Sequence, residues 1–284
     1  MDTEKVHLSK EHEDYLTTVY GKALDNRAED PILGDRFADE ALQKIDFDFK
    51  KLKMPSGGEI TLPFRAKLFD LWTREFLAVH PQATVLHLGC GLDSRVFRID
   101  PPTVVRWYDV DLPDVIELRK RLYPERHDTV LLATSVTNPG WLEAIPTDRP
   151  VLVVAEGLLQ HMSEGDAVGL LSRLIDHFPS GEILFDVYSH LTTRLLNLAI
   201  RLSVLGRKTA DAGALAVLPW AMDDPQELID KVPRLKLVST ISYLTYPEML
   251  DRLSASSRYQ KVVGGFMKRF KWYQKAMQHM RFKF

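Results

Sequence analysis

From Ala83 onward, short β-branched runs alternate with amphipathic helical stretches, and this alternation constrains the fold more than any other feature. The runs are Thr84-Val85-Leu86-His87-Leu88, Val104-Val105-Arg106-Trp107-Tyr108 and Thr129-Val130-Leu131-Leu132, then Val151-Leu152-Val153-Val154-Ala155 and Glu182-Ile183-Leu184-Phe185-Asp186-Val187. Helical periodicity fills the gaps, notably over 113–123 and 163–177. The second of these opens on Ser163 with Asp166 three residues on, a capping-box spacing in which Asp replaces the usual Glu. Strands joined through helices require right-handed crossovers. The expected fold is therefore α/β, a doubly wound, Rossmann-like, mostly parallel sheet with helices on both faces.

The first eighty residues read as helical instead. Tyr15, Val19, Ala23 and Leu24 form one apolar stripe, and Leu33, Phe37, Ala41 and Leu42 another. After a turn signal at Pro55-Ser56-Gly57-Gly58, the residues Phe64, Leu68, Leu71, Trp72 and Phe76 repeat at helical spacing. The expected organisation is one compact unit: a helical cap over 1–82, a sheet domain over 83–284, and an insertion at about 188–234. Within that insertion 191–205 reads as helix, 208–219 as irregular and 224–231 as a short helix. Candidate strands at 235–244, 262–266 and 281–284 would close the sheet.

Composition narrows the class further. Lys plus Arg is 37 and Asp plus Glu 39, a balance that gives no reason to expect bulk attraction to nucleic acid or membrane. Cys90 is the single cysteine, so no internal disulfide can form, which fits a reducing compartment. Met1-Asp2-Thr3-Glu4-Lys5 lacks the apolar core of a signal peptide, and no apolar run reaches membrane-spanning length. A soluble cytoplasmic protein is expected. No Cys/His cluster has metal-ligand spacing, so no metal is expected either.

Gly89-Cys90-Gly91 directly follows the first run, where ligands bind in open parallel sheets. Glycine there lets backbone approach a ligand and tolerates positive φ, although strand-loop glycines also occur for packing alone. A dinucleotide fingerprint would want a third glycine where Ser94 stands. Asp111 lies twenty residues beyond Gly91, where an acid can accept hydrogen bonds from ribose hydroxyls. Asp109 shares its parity, so spacing does not choose between them, and Asp111 is also placed to cap the helix opening at Leu112-Pro113. Glu156, with Gly157 beside it, follows the fourth run and is placed for ligand contact; bonding to local backbone is the plainer alternative. Together the loop and the acid point to an adenosine-type ligand.

Six motifs in order carry a resemblance to a known family. They are Ala23-Leu24-Asp25-Asn26-Arg27, Asp30-Pro31-Ile32-Leu33 and Phe64-Arg65-Ala66-Lys67-Leu68-Phe69-Asp70, then Leu88-Gly89-Cys90-Gly91-Leu92-Asp93-Ser94-Arg95, Trp107-Tyr108-Asp109-Val110-Asp111-Leu112-Pro113 and Ala155-Glu156-Gly157-Leu158-Leu159. Spanning about Tyr20 to Tyr188, they resemble the leucine carboxyl methyltransferase superfamily, in its branch of tetracenomycin-type polyketide O-methyltransferases. The resemblance implies a class I methyltransferase that uses S-adenosylmethionine (SAM), releases S-adenosylhomocysteine and methylates oxygen. It implies that Arg65 pairs with the methionine carboxylate, since a guanidinium fork matches a carboxylate bidentately. Read without it, Arg65 is an arginine beside an apolar helix stripe. The resemblance further implies that Gly89, Cys90 and Gly91 line the methionine portion, that Asp111 meets the ribose, and that Glu156 meets the methionine amino group or a helix facing it.

Two positions depart from the family pattern. Where relatives often carry an adenine-binding acid after the third strand, this chain has Ala133-Thr134-Ser135-Val136, leaving Ser135 as the candidate. The position after Leu159-Gln160, often Tyr, is His161. A hydroxyl acceptor gains from a base, and His161 is the candidate, while His190 is better read as structural. The stretch 191–219, with Trp220 and Met222, suits a lid or acceptor wall. After Asp251 nine basic residues stand with no acid, interleaved with aromatics. A solvated face suits that tail better than nucleic-acid binding, and it would also steer an anionic, aromatic small-molecule acceptor. The rival readings are a catalytically idle SAM-binding module and, counted against by the missing third glycine, a nicotinamide oxidoreductase.

Overall fold

The computed structural model describes residues 13–49, 52, 54, 57–205, 218–242, 245–256 and 275–284. Three helices come first: α1 (Glu13–Asn26), α2 (Arg36–Gln43) and α3 (Gly58–Val79). The sheet region then runs β1 (Thr84–Leu88), α4 (Arg95–Ile99), β2 (Arg106–Asp111), α5 (Pro113–Leu122), β3 (Thr129–Ala133), β4 (Val151–Ala155), α6 (Glu164–His177) and β5 (Gly181–Tyr188). The remaining elements are α7 (His190–Leu205), α8 (Gln226–Ile229), β6 (Lys236–Ile241), α9 (Pro247–Ser256) and β7 (Met277–Lys283).

The seven strands lie in the order β3-β2-β1-β4-β5-β7-β6. The first five are parallel, and β7 inserts antiparallel between β5 and β6, with Glu182 opposite Lys283 and Tyr188 opposite Met277. The expected doubly wound, mostly parallel sheet is therefore present. Strand alternation sorts the core into two layers. Val151, Val153, Ala155, Ile183 and Phe185 pack with α6, whereas Leu152, Val154 and Leu184 pack with Phe69, Trp72 and Phe76 of α3. Thus α3 lies against the centre of the sheet, which brings its polar side chains to the strand ends.

Some elements differ from expectation for local reasons. β2 starts at Arg106, not Val104, because Val105 N–H turns back onto the Pro102 carbonyl at 2.9 Å and Val104 is left exposed. Ser163 caps α6 by accepting from Asp166 N–H at 3.1 Å. The Asp166 carboxylate accepts from the Ser163 hydroxyl at 2.6 Å rather than from its backbone, one methylene being missing relative to Glu. The candidate strand at 262–266, the turn at Pro55-Ser56, residues 208–217, the basic residues Arg258, Lys261, Lys268, Arg269 and Lys271, and the aromatics Phe266, Phe270, Trp272 and Tyr273 lie outside the described residues. Among the described residues no helix is long and apolar enough to cross a membrane.

His279 of β7 is fully buried with its ring 5.1 Å from that of Phe69. Burial, and then the nearby Arg65 guanidinium, push its pKa down to about 3. The unfolded chain takes up this proton near pH 6.5, so between there and about pH 3 the unfolded state binds more protons. Stability should therefore fall as pH drops through that window, by up to ~1.4 kcal/mol per pH unit. Urea titrations at pH 7, 6 and 5 are expected to show it, and His279→Gln to flatten the slope. An unchanged slope in the mutant would remove His279 as its source.

Candidate active site

Three glycines shape the carboxyl ends of the central strands. Gly89 and Gly91 after β1 have φ of 59° and 48°, and Gly157 after β4 has 69°, a region costly for side chains with a Cβ. Asp111, at the end of β2, accepts from Gly91 N–H and from Leu112 N–H, each at 2.7 Å. It therefore clasps the glycine loop rather than capping α5, whose N-cap residue Leu112 makes no side-chain bond. Burial raises the Asp111 pKa, but the residue keeps 8% of its surface exposed.

Structure also separates the two aspartates that spacing left equal. Asp109 is fully buried one pleat deeper, where it accepts from Trp107 Nε1 at 2.8 Å and meets His87 Nδ1 at 3.0 Å. It also pairs with Arg119, whose other nitrogen donates to the carbonyls of Gly91 at 2.8 Å and Asp93 at 2.7 Å. Burial would raise the Asp109 pKa, but Arg119 and His87 bring it down to about 2. Asp109 supports the loop from beneath, and Asp111 holds it from the strand end with 8% of its surface exposed.

Glu156 sits in a buried ionic cluster. Its Oε1 accepts from Arg65 Nε at 2.9 Å and its Oε2 from Arg95 Nη2 at 2.5 Å. The plainer alternative, a bond to local backbone, does not describe this arrangement: both oxygens are taken by arginines from other elements. Arg65 is not the solvated arginine of the plain reading either: its side chain is 13% exposed, and Nη1 lies 3.5 Å from Asp186 of β5. Arg95 is fully buried, and it also donates to Asp70 at 2.8 Å and meets Asp93 at 3.3 Å. Asp93 in turn takes Lys22 of α1 at 2.9 Å and Arg98 at 2.6 Å, and Arg98 reaches Asp35, the N-cap of α2, at 2.7 Å. Burial would raise the pKa values of Asp93 and Glu156. The cations hold them well below the usual carboxylate range: Arg98, Lys22 and Arg95 for Asp93, and Arg65, Lys22 and Arg95 for Glu156.

Other expected site residues stand outside this cluster. Cys90 is 2% exposed, burial raises its thiol pKa, and its N–H bonds the Val110 carbonyl at 3.3 Å. Ser135 is half-buried, and its hydroxyl lies 2.7 Å from that of Thr137 in a local turn. His161 ends a short 3-10 turn over Leu159–His161 with an exposed side chain. His190 is exposed and meets Glu227 at 3.4 Å. Sequence reasoning missed Lys22, Asp35, Asp70, Asp93, Arg95, Arg98 and Asp186. Asp70, Asp93 and Arg95 stand within the quoted motifs, so the signal was there without a partner to give it meaning. A cavity of about 480 Å³ beside β3, lined by Phe97, Tyr123, His127 and Leu131 among others, includes Asp109 but none of Arg65, Gly89, Gly91, Asp111, Ser135, Glu156 or His161. Among the described residues no group of three or more His, Cys, Asp or Glu could hold a metal.

The leucine carboxyl methyltransferase family model matches residues 15–130. The tetracenomycin polyketide synthesis O-methyltransferase TcmP of Streptomyces glaucescens is 40% identical over 281 residues, 99% of each chain. The SAM-dependent methyltransferase dpfgK of Gibberella zeae is 32% identical over 255 residues, 83% of each chain. Among solved structures, a DUF574 family protein of Streptomyces avermitilis has a TM-score of 0.55 at 13% identity, covering 95% of this chain and 96% of that one. A Thermobifida fusca chain assigned as a methyltransferase has a TM-score of 0.56 at 15% identity, with 94% and 93% covered.

Fold, strand order and relatives together define a class I SAM-dependent methyltransferase. The residues at the strand ends suit such a cofactor: three positive-φ glycines turn the backbone there, and two acids, Glu156 and Asp186, stand beside one arginine that can face a carboxylate. The chain belongs to the leucine carboxyl methyltransferase family, which sets aside the nicotinamide reading.

Proposed function

We propose that this enzyme methylates oxygen, on a carboxylate or phenolic hydroxyl of a polyketide-like small molecule, in the cytoplasm. The observation that carries this reading is the near-full-length likeness to TcmP. SAM supplies an electrophilic methyl group on a sulfonium. The protein's part is to align the acceptor with it and exclude water, which can be worth roughly 7–11 kcal/mol. In this reading Arg65 receives the methionine carboxylate and Glu156 the ammonium. The backbone of Gly89, Cys90 and Gly91 lies along the chain between them, Asp111 offers its exposed edge to the ribose, and Ser135 meets adenine. Arg65→Ala is then expected to weaken S-adenosylhomocysteine binding by roughly 1.5–3 kcal/mol, measured by calorimetry. Undiminished affinity would remove Arg65 from the site.

The acceptor is proposed to be planar and anionic, steered by the basic carboxyl-terminal end of the chain. A carboxylate needs no base, so His161→Phe should then preserve most of the rate, and activity should not fall as histidine protonates. A phenol using His161 should instead lose on the order of 10²–10⁴ in rate with that change. Its wild-type profile should rise through a pKa near that of histidine. The experiment is a panel of aromatic acids and phenols with labelled SAM across pH, wild type beside mutant. Transfer only to nitrogen or to nucleic acid overturns the oxygen assignment. Turnover with no acceptor despite SAM binding would favour an idle binding module.

A further inference from the structure

Asp186 is a carboxylate beside Arg65 that neither the sequence motifs nor the proposed cofactor contacts account for. It is fully buried two residues before the end of β5, and its Oδ1 accepts from Gly157 N–H at 2.6 Å. Its Oδ2 is also buried and makes no hydrogen bond among the described residues. Arg65 Nη1 stands 3.5 Å from that oxygen, close enough for an ion pair and too far for a well-formed hydrogen bond. The same guanidinium spends its Nε–H on Glu156 at 2.9 Å.

A zwitterionic methionyl head changes the balance of this group. Its ammonium needs a carboxylate, and at Glu156 Oε1 it would compete with Arg65 Nε for the same oxygen. Arg95 keeps Glu156 in place from the other side, at 2.5 Å on Oε2, so the movement falls to Arg65. A buried guanidinium does not give up an anion without another to take its place, because an uncompensated buried charge is costly. Asp186 Oδ2 is the acceptor within reach.

We propose that Asp186 is a positioning residue for the methionyl head: it receives Arg65 as the ligand ammonium takes over Glu156, and so holds the guanidinium facing the ligand carboxylate. This rests on the SAM reading of the site. No covalent bond is made or broken in the exchange; the Arg65–Glu156 pair gives way to two pairs with the ligand, Arg65 to its carboxylate and Glu156 to its ammonium, while the Arg65–Asp186 pair tightens.

The test is Asp186→Asn, which keeps an oxygen to accept from Gly157 N–H and removes only the charge. S-adenosylhomocysteine and 5′-methylthioadenosine, which lacks the amino-acid head, are compared by calorimetry. The expected result is a loss of about 10- to 100-fold for S-adenosylhomocysteine, the range for a hydrogen bond to a charged group, with methylthioadenosine affinity unchanged. Added to Arg65→Ala, Asp186→Asn should cost nothing more, since both act through one contact. Asp186→Ser, which also removes the charge and keeps a polar oxygen at the position, should give the same selective loss and covers the case of an Asn variant that does not fold. Equal losses for both ligands would show a role in site shape, and unchanged affinity no role, and either overturns the proposal. Wild-type protein that binds neither ligand would overturn the SAM reading itself.

Discussion

Gly91→Val is expected to abolish S-adenosylhomocysteine binding in calorimetry while circular dichroism still reports the folded sheet. Three features of the position require this. Its φ of 48° is one that a β-branched residue adopts only under strain. A Cβ there would sit 3.4 Å from Tyr15 Cδ1, so α1 closes the loop from above and leaves little room for branching. Its N–H is held by Asp111 at 2.7 Å, so a shifted backbone also releases the acid proposed to meet the ribose. Retained binding in a folded mutant would place the cofactor elsewhere; an unfolded mutant would show the glycine to be structural first.

Arg95→Met is expected to destabilise the protein by about 3–5 kcal/mol, the cost of breaking a buried ion pair from one side. Arg95 is fully buried and serves three carboxylates, those of Asp70, Asp93 and Glu156. Methionine matches its stem but leaves those acids short of a cation in a region closed to water. Urea unfolding at pH 7 measures the loss, and a change under ~1 kcal/mol, the scale of a surface pair, would show that the cluster is effectively solvated. A second consequence follows at the site. With Arg95 gone, Glu156 loses one of the cations that hold its pKa down, so ligand affinity should become sensitive to acid at a higher pH than in the wild type.

These two positions mark a boundary in what can be read from residue order. The strand and helix sequence, the doubly wound sheet and the loop Gly89-Cys90-Gly91 were legible because each depends on local properties. Period two or 3.6 in apolar residues writes an element, and glycine permits a backbone angle that others resist. Asp111 was legible as an acid at a fixed distance beyond the loop. Its bond to Gly91 N–H was not, and nor was the inward turn of Asp109, because residues of like parity differ only in which neighbours surround them.

The ionic cluster belongs wholly to tertiary structure. Arg65 and Glu156 are 91 residues apart, and Arg98 meets an aspartate 63 residues away at the cap of α2. Charge pairing acts through space and leaves no periodic trace, so Lys22, Asp35 and Asp186 look in the sequence like any other charged residues. Only when α1 to α3 close over the carboxyl ends of the strands do these groups leave water, and burial is what turns ordinary charges into obligatory partners. Residue order alone wrote the sheet, the glycine turns and the acids at the strand ends. Tertiary packing decided which of those charges answer one another.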